Sequence, residues 1–156
     1  MAMTSELSSD RLRALAELDD AFTSFAAGGR AGRLHQRMGA AAGELGHAGF
    51  PMLAWLAAWA PVRVTELAER SGLDASTVSR RVADLQDKGL ITRAVDLEDQ
   101  RASLLELTPR GVQLLADLRE ARRRLLDDAL SDWPTGEVQA LAGMLRRLTE
   151  AFDRLF

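Results

Sequence analysis

The sequence predicts a mostly α-helical chain with one small β-hairpin. Leu and Ala carry most of the apolar character of 156 residues that are 47% hydrophobic and only 5% aromatic, and both favour helix. Apolar side chains recur every three or four positions over most of the chain. The pattern changes after Gly89, where residues 90–93 and 102–107 read as two strands around a polar turn at residues 96–100.

Three helices are expected before residue 61, over residues 10–27, 31–44 and 50–60. Gly43, Gly46 and Gly49 predict a flexible passage between the second and the third of them. Pro51 is expected in the first turn of the third helix, where its missing N–H costs little.

Two shorter helices follow, at residues 64–71 and 75–88, with Gly72 in the turn between them. Asp74 is placed to cap the second helix and Gly89 to close it. The apolar side chains of both helices can meet in one small core: Leu67, Ala68, Leu73, Val78, Val82 and Leu85. This is the arrangement of a helix-turn-helix, in which the first helix braces and the outer face of the second enters a DNA groove.

The outer face of that second helix carries the candidate DNA contacts. Its inward side chains fall within about 60° of one another on a helical wheel. The opposite face holds Ser76, Arg80 and Ala83, with Thr77, Ser79 and Asp84 beside it, and most of these side chains are short or hydroxylated. Arg80 can fork onto guanine, while Arg81 on the flank suits a phosphate better. The alternative is that these are simply solvated residues of a helix surface.

Two further helices end the chain, one from Pro109, capped by Thr108, to about Ser131, and one after the break at residues 133–135. The first and last helices carry narrow apolar stripes. Their members are Leu12, Leu15 and Leu18 at one end and Leu141, Leu145, Leu148, Phe152, Leu155 and Phe156 at the other. Such stripes pack against other helices, of the same chain or of a second copy.

Composition excludes several classes of protein. The chain has no cysteine and only His35 and His47, so no metal and no cofactor are expected. No nucleophile elbow or phosphate-binding glycine loop is present, which argues against an enzyme. No signal peptide and no apolar run long enough for a membrane span are found, so a soluble, cytoplasmic protein is expected. The net charge of −3 argues mildly against nucleic acid unless the basic residues cluster locally.

Three short segments together resemble the winged-helix core of the MarR (multiple-antibiotic-resistance regulator) family. They are LAERSGL at residues 67–73, STVSR at 76–80 and KGLI at 88–91. Leu85, Arg93 and Gly111 continue the match between and after these segments. The hairpin also follows the family pattern of two acidic residues, an Arg and a strand ending in Leu-Thr: Asp96, Asp99, Arg101, Leu107 and Thr108. The similarity is strong over residues 45–111 and extends to the flanking helices only in general layout.

The resemblance implies a winged helix-turn-helix with flanking dimerisation helices. Residues 8–45 and 109–156 would form the dimerisation helices, and residues 46–108 the DNA-binding lobe. The implied function is that of a homodimeric transcriptional repressor on a pseudo-palindromic operator in double-stranded DNA. The alternative is a winged-helix protein-interaction module that does not bind DNA.

The resemblance also assigns roles to individual residues. The second helix would enter the major groove, with DNA contacts from Ser76, Thr77, Ser79, Arg80 and Arg81. Arg101 would reach the minor groove, oriented by a salt bridge from Asp99, and a narrow minor groove does attract an inserted Arg. Alternatively, Asp99 and Arg101 only fasten the hairpin together. Gln100 departs from the family, which often has a basic residue there.

Many members of the family respond to a small aromatic or anionic effector. The candidate ligand-binding residues here are His35, His47, Trp55 and Trp59. Trp55 and Trp59 stand four residues apart on one helical face, a spacing more typical of core packing than of a pocket.

Overall fold

The computed structural model describes residues 9–27, 29, 33, 37–38, 40–96 and 103–155, and the structural statements below concern these residues. They form six helices and three strands: α1 (Ser9–Ala27), α2 (Ala40–Trp59), β1 (Val62–Arg63), α3 (Val64–Ser71), α4 (Ala75–Asp87), β2 (Ile91–Val95), β3 (Ser103–Leu107), α5 (Pro109–Ala129) and α6 (Thr135–Asp153). The predicted fold class, mostly α with a small hairpin, is confirmed. None of these helices is long and apolar enough to cross a membrane.

The hairpin belongs to a three-stranded antiparallel sheet in the order β1-β3-β2. Strands β2 and β3 pair from Ile91 opposite Leu107 to Val95 opposite Ser103. The short strand β1, which the sequence pattern did not predict, lies along the other edge of β3. Two residues are too few to show an alternating pattern, so the sequence carried no signal for this strand.

The prediction of a break before residue 50 is wrong. Helix α2 runs continuously from Ala40 to Trp59, through Gly43, Gly49 and Pro51. Pro51 lies inside the helix instead of in its first turn, so the carbonyl of His47 receives no helical hydrogen bond from it. The apolar face of α2 is buried, and tertiary packing therefore outweighs the poor helix propensity of this segment.

One hydrophobic core joins the helix-turn-helix, the sheet, α2 and α5. Helix α2 packs against α5, β3 and α4, and α3 packs against α4. The fully buried side chains are Met52, Leu53, Leu56, Val62, Leu67, Val78, Val82, Leu85, Leu90, Leu105 and Leu118. The predicted small core of the helix-turn-helix is thus part of this larger one, with Leu73 partly buried at its edge.

A close junction connects the sheet to α5. Thr108 caps α5, as predicted, by accepting the N–H of Gly111 at 3.1 Å. Its hydroxyl donates to the carbonyl of Gly89 at 2.7 Å, and its own N–H donates to the carbonyl of Leu90 at 3.0 Å. The start of α5 is therefore hydrogen-bonded to the chain that enters β2.

Helices α1 and α6 present their apolar stripes to solvent. The exposed large side chains are Leu12, Leu15, Leu18, Phe22 and Phe25 on α1, and Met144, Leu145 and Phe152 on α6, followed by Leu155. Their exposed fractions range from 42% to 73%. Large exposed apolar patches are uncommon on monomers, so these two helices are candidates for an interaction surface.

Candidate nucleic-acid interface

A glycine turn joins α3 to α4. Gly72 has a φ of 66°, in the left-handed region that side chains with a Cβ avoid. The N–H groups of Gly72 and Leu73 donate to the carbonyls of Glu69 and Ala68, at 3.3 and 3.2 Å. The last carbonyls of α3 are thereby satisfied, and the chain turns directly into α4. The predicted helix-turn-helix is present.

Asp74 caps α4 as predicted, and its carboxylate also accepts a hydrogen bond from Ser76, a candidate DNA-contact residue. Its Oδ1 accepts the Ser76 hydroxyl at 2.6 Å and the Thr77 N–H at 2.8 Å. These hydrogen bonds, the one from Ser76 first, hold the pKa of Asp74 well below its usual range. Because a hydroxyl has one proton, Ser76 can donate to a phosphate only by giving up its hydrogen bond to Asp74.

The two sides of α4 differ as the wheel predicted. Val78, Val82 and Leu85 are buried. On the other side Ser76, Ser79, Arg80 and Ala83 are exposed, whereas Thr77 and Arg81 are partly buried. The acidic neighbour Asp84 forms an ion pair with Lys88, Oδ2 to Nζ at 2.7 Å, so the carboxylate beside this face is locally neutralised. The outer face of α4 is therefore exposed, and its side chains are small apart from the guanidinium-bearing Arg80.

The wing consists of β2, β3 and the segment between them. Asp99 and Arg101 belong to that segment and lie outside the described residues, so their assigned roles stay predictions. Both strands that carry the segment are in place and paired over five residues each.

An ion pair that the sequence pattern did not reveal connects the residue after β2 with β1. Arg63 of β1 donates from Nε to Asp96 Oδ2 at 2.8 Å and from Nη2 to the same oxygen. The Asp96 side chain is 8% exposed and that of Arg63 40%. A buried carboxylate is costly unless it is paired, so removal of Arg63 would leave Asp96 uncompensated. The pair reaches across β3, which lies between β1 and β2. Asp96 was expected in a polar turn, and nothing in the sequence pointed to Arg63.

A second unpredicted contact involves Arg93 on β2. Its Nε donates to Gln86 Oε1 of α4 at 3.0 Å, and its Nη1 donates to Ser103 Oγ of β3 at 3.1 Å. One side chain thus touches the candidate recognition helix and the opposite strand of the wing.

The candidate ligand-binding residues fall on or before α2. The rings of Trp55 and Trp59 stack with centroids 6.0 Å apart and planes 2° apart, and both pack partly buried against the core. The Arg70 guanidinium lies 5.7 Å from the centroid of Trp59. His47 lies in α2, where only its backbone is described, and His35 is outside the described residues. Within the described part of the chain no three acidic or histidine side chains are grouped to hold a metal ion.

The fold and this surface define a winged helix-turn-helix protein. Comparison with known proteins agrees, since the sequence profile of the MarR family matches residues 47–103. The HTH-type transcriptional regulator YxaD of Bacillus subtilis is 38% identical over 110 residues, which cover 70% of this chain and 77% of that protein.

Solved structures share the fold over nearly the whole chain. A MarR family protein from Bacillus stearothermophilus matches with a TM-score of 0.73 and 24% identity, covering 90% of this chain and 96% of that one. The transcriptional regulator BldR from Sulfolobus solfataricus matches with a TM-score of 0.64 and 26% identity, covering 92% and 99%. The chain belongs to the MarR family of DNA-binding transcriptional regulators, a class without enzymatic activity.

Proposed function

We propose that this protein is a homodimeric repressor that binds a pseudo-palindromic operator in double-stranded DNA. The observation that carries the proposal is the outer face of α4, where Arg80 is exposed opposite a fully buried apolar side and Ser79 is exposed next to it. A helix braced in this way, with a free face of small and basic side chains, fits the major groove. Repression then follows from occupation of the operator.

Each contact residue has a proposed role. Arg80 and Ser79 read base edges, Arg81 and Thr77 bind phosphates, and Ser76 lies at the capped start of the helix next to the DNA backbone. The wing places Arg101 in the minor groove, oriented by Asp99. The division into dimerisation helices at residues 8–45 and 109–156 and a DNA-binding lobe at 46–108 is part of the same proposal. Since chromosomal DNA is the target, the cytoplasm is the proposed location.

Separate replacements of Arg80 and Arg101 distinguish base recognition by α4 from DNA contact by the wing. Arg80→Ala should weaken operator binding by about 1–3 kcal/mol per half-site and relax preference at one or two base pairs, because the side chain that forks onto one base is removed. Arg101→Ala should weaken binding to all sequences, with discrimination reduced mainly at A·T-rich flanks. Both effects are measured by titrating a panel of operator variants at constant salt.

The matched control is Arg119→Ala, which removes the same charge from an exposed position on α5. It should leave affinity and base preference unchanged. Melting temperatures of all three variants should stay close to that of the wild type. If Arg101→Ala unfolds the domain while affinity per folded molecule is unchanged, the Asp99–Arg101 pair only fastens the hairpin, and the wing has no direct part in recognition.

The dimer is proposed to form through α1 and α6, whose large apolar side chains are exposed in the single chain. A two-fold axis would set two α4 helices about one DNA turn apart. Obligate helical interfaces are large and apolar, so the dimer should persist at micromolar concentration or below. Sedimentation of the wild type should show a dimer, and Leu145→Asp should shift it to monomer.

Val95→Asp is the control for this substitution, because Val95 is also an exposed apolar residue but lies on β2, in the proposed DNA-binding lobe. It should leave the dimer intact. A wild-type chain that sediments as a monomer at micromolar concentration would contradict the proposal.

We also propose that a small aromatic or anionic effector modulates binding, with His35, His47, Trp55 and Trp59 as its candidate contacts. Selection of bound sequences from a random duplex pool, repeated with candidate effectors, tests operator and effector together. If no duplex is enriched, the protein-interaction alternative takes the place of the repressor.

A further inference from the structure

The wing needs a defined position relative to α4 if both are to reach one DNA duplex. A two-stranded hairpin is marginally stable by itself. Strand β1 adds only two residues, Val62 opposite Leu105 and Arg63 opposite Leu104, along the edge of β3 that faces away from β2. The short connection from α4 to β2 and the buried Leu90 and Ile91 hold the near end of the hairpin against the core. Side-chain contacts with α4 further along β2 and β3 can then fix the rest of the hairpin relative to this helix.

Arg93 is placed to set this angle. It is the third residue of β2, directly opposite Leu105 on β3. Its guanidinium donates to Gln86, in the last turn of α4, and to Ser103, at the start of β3. The three side chains therefore connect α4 with both strands of the wing. The Arg63–Asp96 ion pair joins the wing to β1 and does not involve α4.

The chemistry of these contacts suits a side chain that holds α4 and the wing at a fixed distance from each other. A guanidinium is planar and holds its donors in a rigid fork, so two simultaneous acceptors restrict its orientation. Both acceptors, an amide oxygen and a hydroxyl, are uncharged, so these hydrogen bonds leave the positive charge of Arg93 unneutralised. Because neither acceptor is charged, salt should weaken these contacts less than it weakens exposed ion pairs.

We propose that Arg93 is a positioning residue that locks the wing to the recognition helix, so that Arg101 and α4 meet adjacent grooves in register. This inference rests on the proposed function, because it assigns to Arg93 a role in the same DNA recognition. The competing interpretation is that Arg93 contacts a phosphate directly.

The lock is tested first without DNA. The chain has no cysteine, so spin labels at Ala83→Cys on α4 and Val95→Cys on β2 can be placed selectively. Labelled chain mixed with excess unlabelled chain reports the distance within one protomer by electron spin resonance. The parent should give a narrow distribution, and Arg93→Met should broaden or shift it, whereas Arg119→Ala should not. An unchanged distribution in Arg93→Met would overturn the proposal.

DNA binding then separates positioning from direct contact. Gln86→Ala combined with Ser103→Ala removes both acceptors and keeps the charge of Arg93. This pair should weaken operator binding about tenfold, as Arg93→Met should, and Arg101→Ala should cost less in that background than in the wild type. The melting temperature checks that each variant is folded.

Two other results are informative. If Arg93→Met weakens binding while the Gln86 and Ser103 replacements have no effect, Arg93 is a phosphate contact and the positioning role is wrong. If the label distances respond as expected but the wild type binds no DNA, the proposed function is wrong while the lock between α4 and the wing is supported.

Discussion

Raising the salt concentration from 50 to 200 mM should weaken operator binding by about 10³- to 10⁵-fold. That range follows if the dimer neutralises roughly six to ten phosphates and releases their counterions. The net charge of −3 does not prevent this, because counterion release depends on the cations that touch the phosphates. The measurement is a fluorescence-anisotropy titration at five or more salt concentrations, plotted as the logarithm of affinity against that of salt.

Substitutions show how much each basic residue contributes to the slope of this plot. Removing a phosphate-binding Arg81 should reduce the slope by about one unit for each phosphate that is no longer neutralised, whereas Arg119→Ala, on the exposed surface of α5, should leave it unchanged. A flat salt response in the wild type would exclude phosphate binding and favour the protein-interaction module.

The helix-turn-helix was predictable because its signals are local. Gly72 supplies the left-handed turn, and Asp74 supplies the cap, each within a residue or two of the boundary that it sets. The predicted helices at residues 64–71 and 75–88 accordingly match α3 and α4 to within one residue. The outer face of α4 followed from the same local periodicity, and its exposure in the structure agrees.

Helix α2 was mispredicted because its stability is not local. Three glycines and Pro51 in its interior cost about 6 kcal/mol in helix propensity relative to Ala. Burial of Leu45, Met52, Leu53 and Leu56 contributes about 1.5–3 kcal/mol for each side chain, or about 6–12 kcal/mol in total. Packing against α5 and the sheet therefore exceeds the local penalty, and the residues at 43–51 alone give no sign of it.

The side-chain contacts of Arg63 and Arg93 were also out of reach of the sequence. Arg63 and Asp96 are 33 positions apart, and Arg93 and Ser103 are ten apart across a hairpin whose register was not known in advance. A strand period places residues on one face or the other, but it does not specify which side chain on another element they meet. These pairs become visible only when β1 and α4 are placed beside the hairpin.

Gly111→Ala should destabilise the protein by about 3 kcal/mol or more, at or above the upper end of ordinary overpacking. A Cβ at Gly111 would lie 2.1 Å from the carbonyl oxygen of Leu90 and 3.3 Å from Cδ2 of Leu107. The carbonyl is backbone and accepts the N–H of Thr108, so it cannot rotate away without breaking the link between β2 and α5. For a chain of this size the melting temperature should fall by roughly 6–12 °C.

Gly136→Ala is the matched control, since it makes the same substitution in the first turn of α6 where a Cβ meets no atom within 4 Å. Removing a glycine from a helix lowers the entropy of the unfolded chain, so this variant should melt at or slightly above the wild-type temperature. Both variants are compared by thermal unfolding at equal protein concentration, because dimerisation makes the midpoint concentration-dependent. If Gly111→Ala melts like Gly136→Ala, α5 can shift away from Leu90 at little cost, and the junction between the sheet and α5 is not rigid.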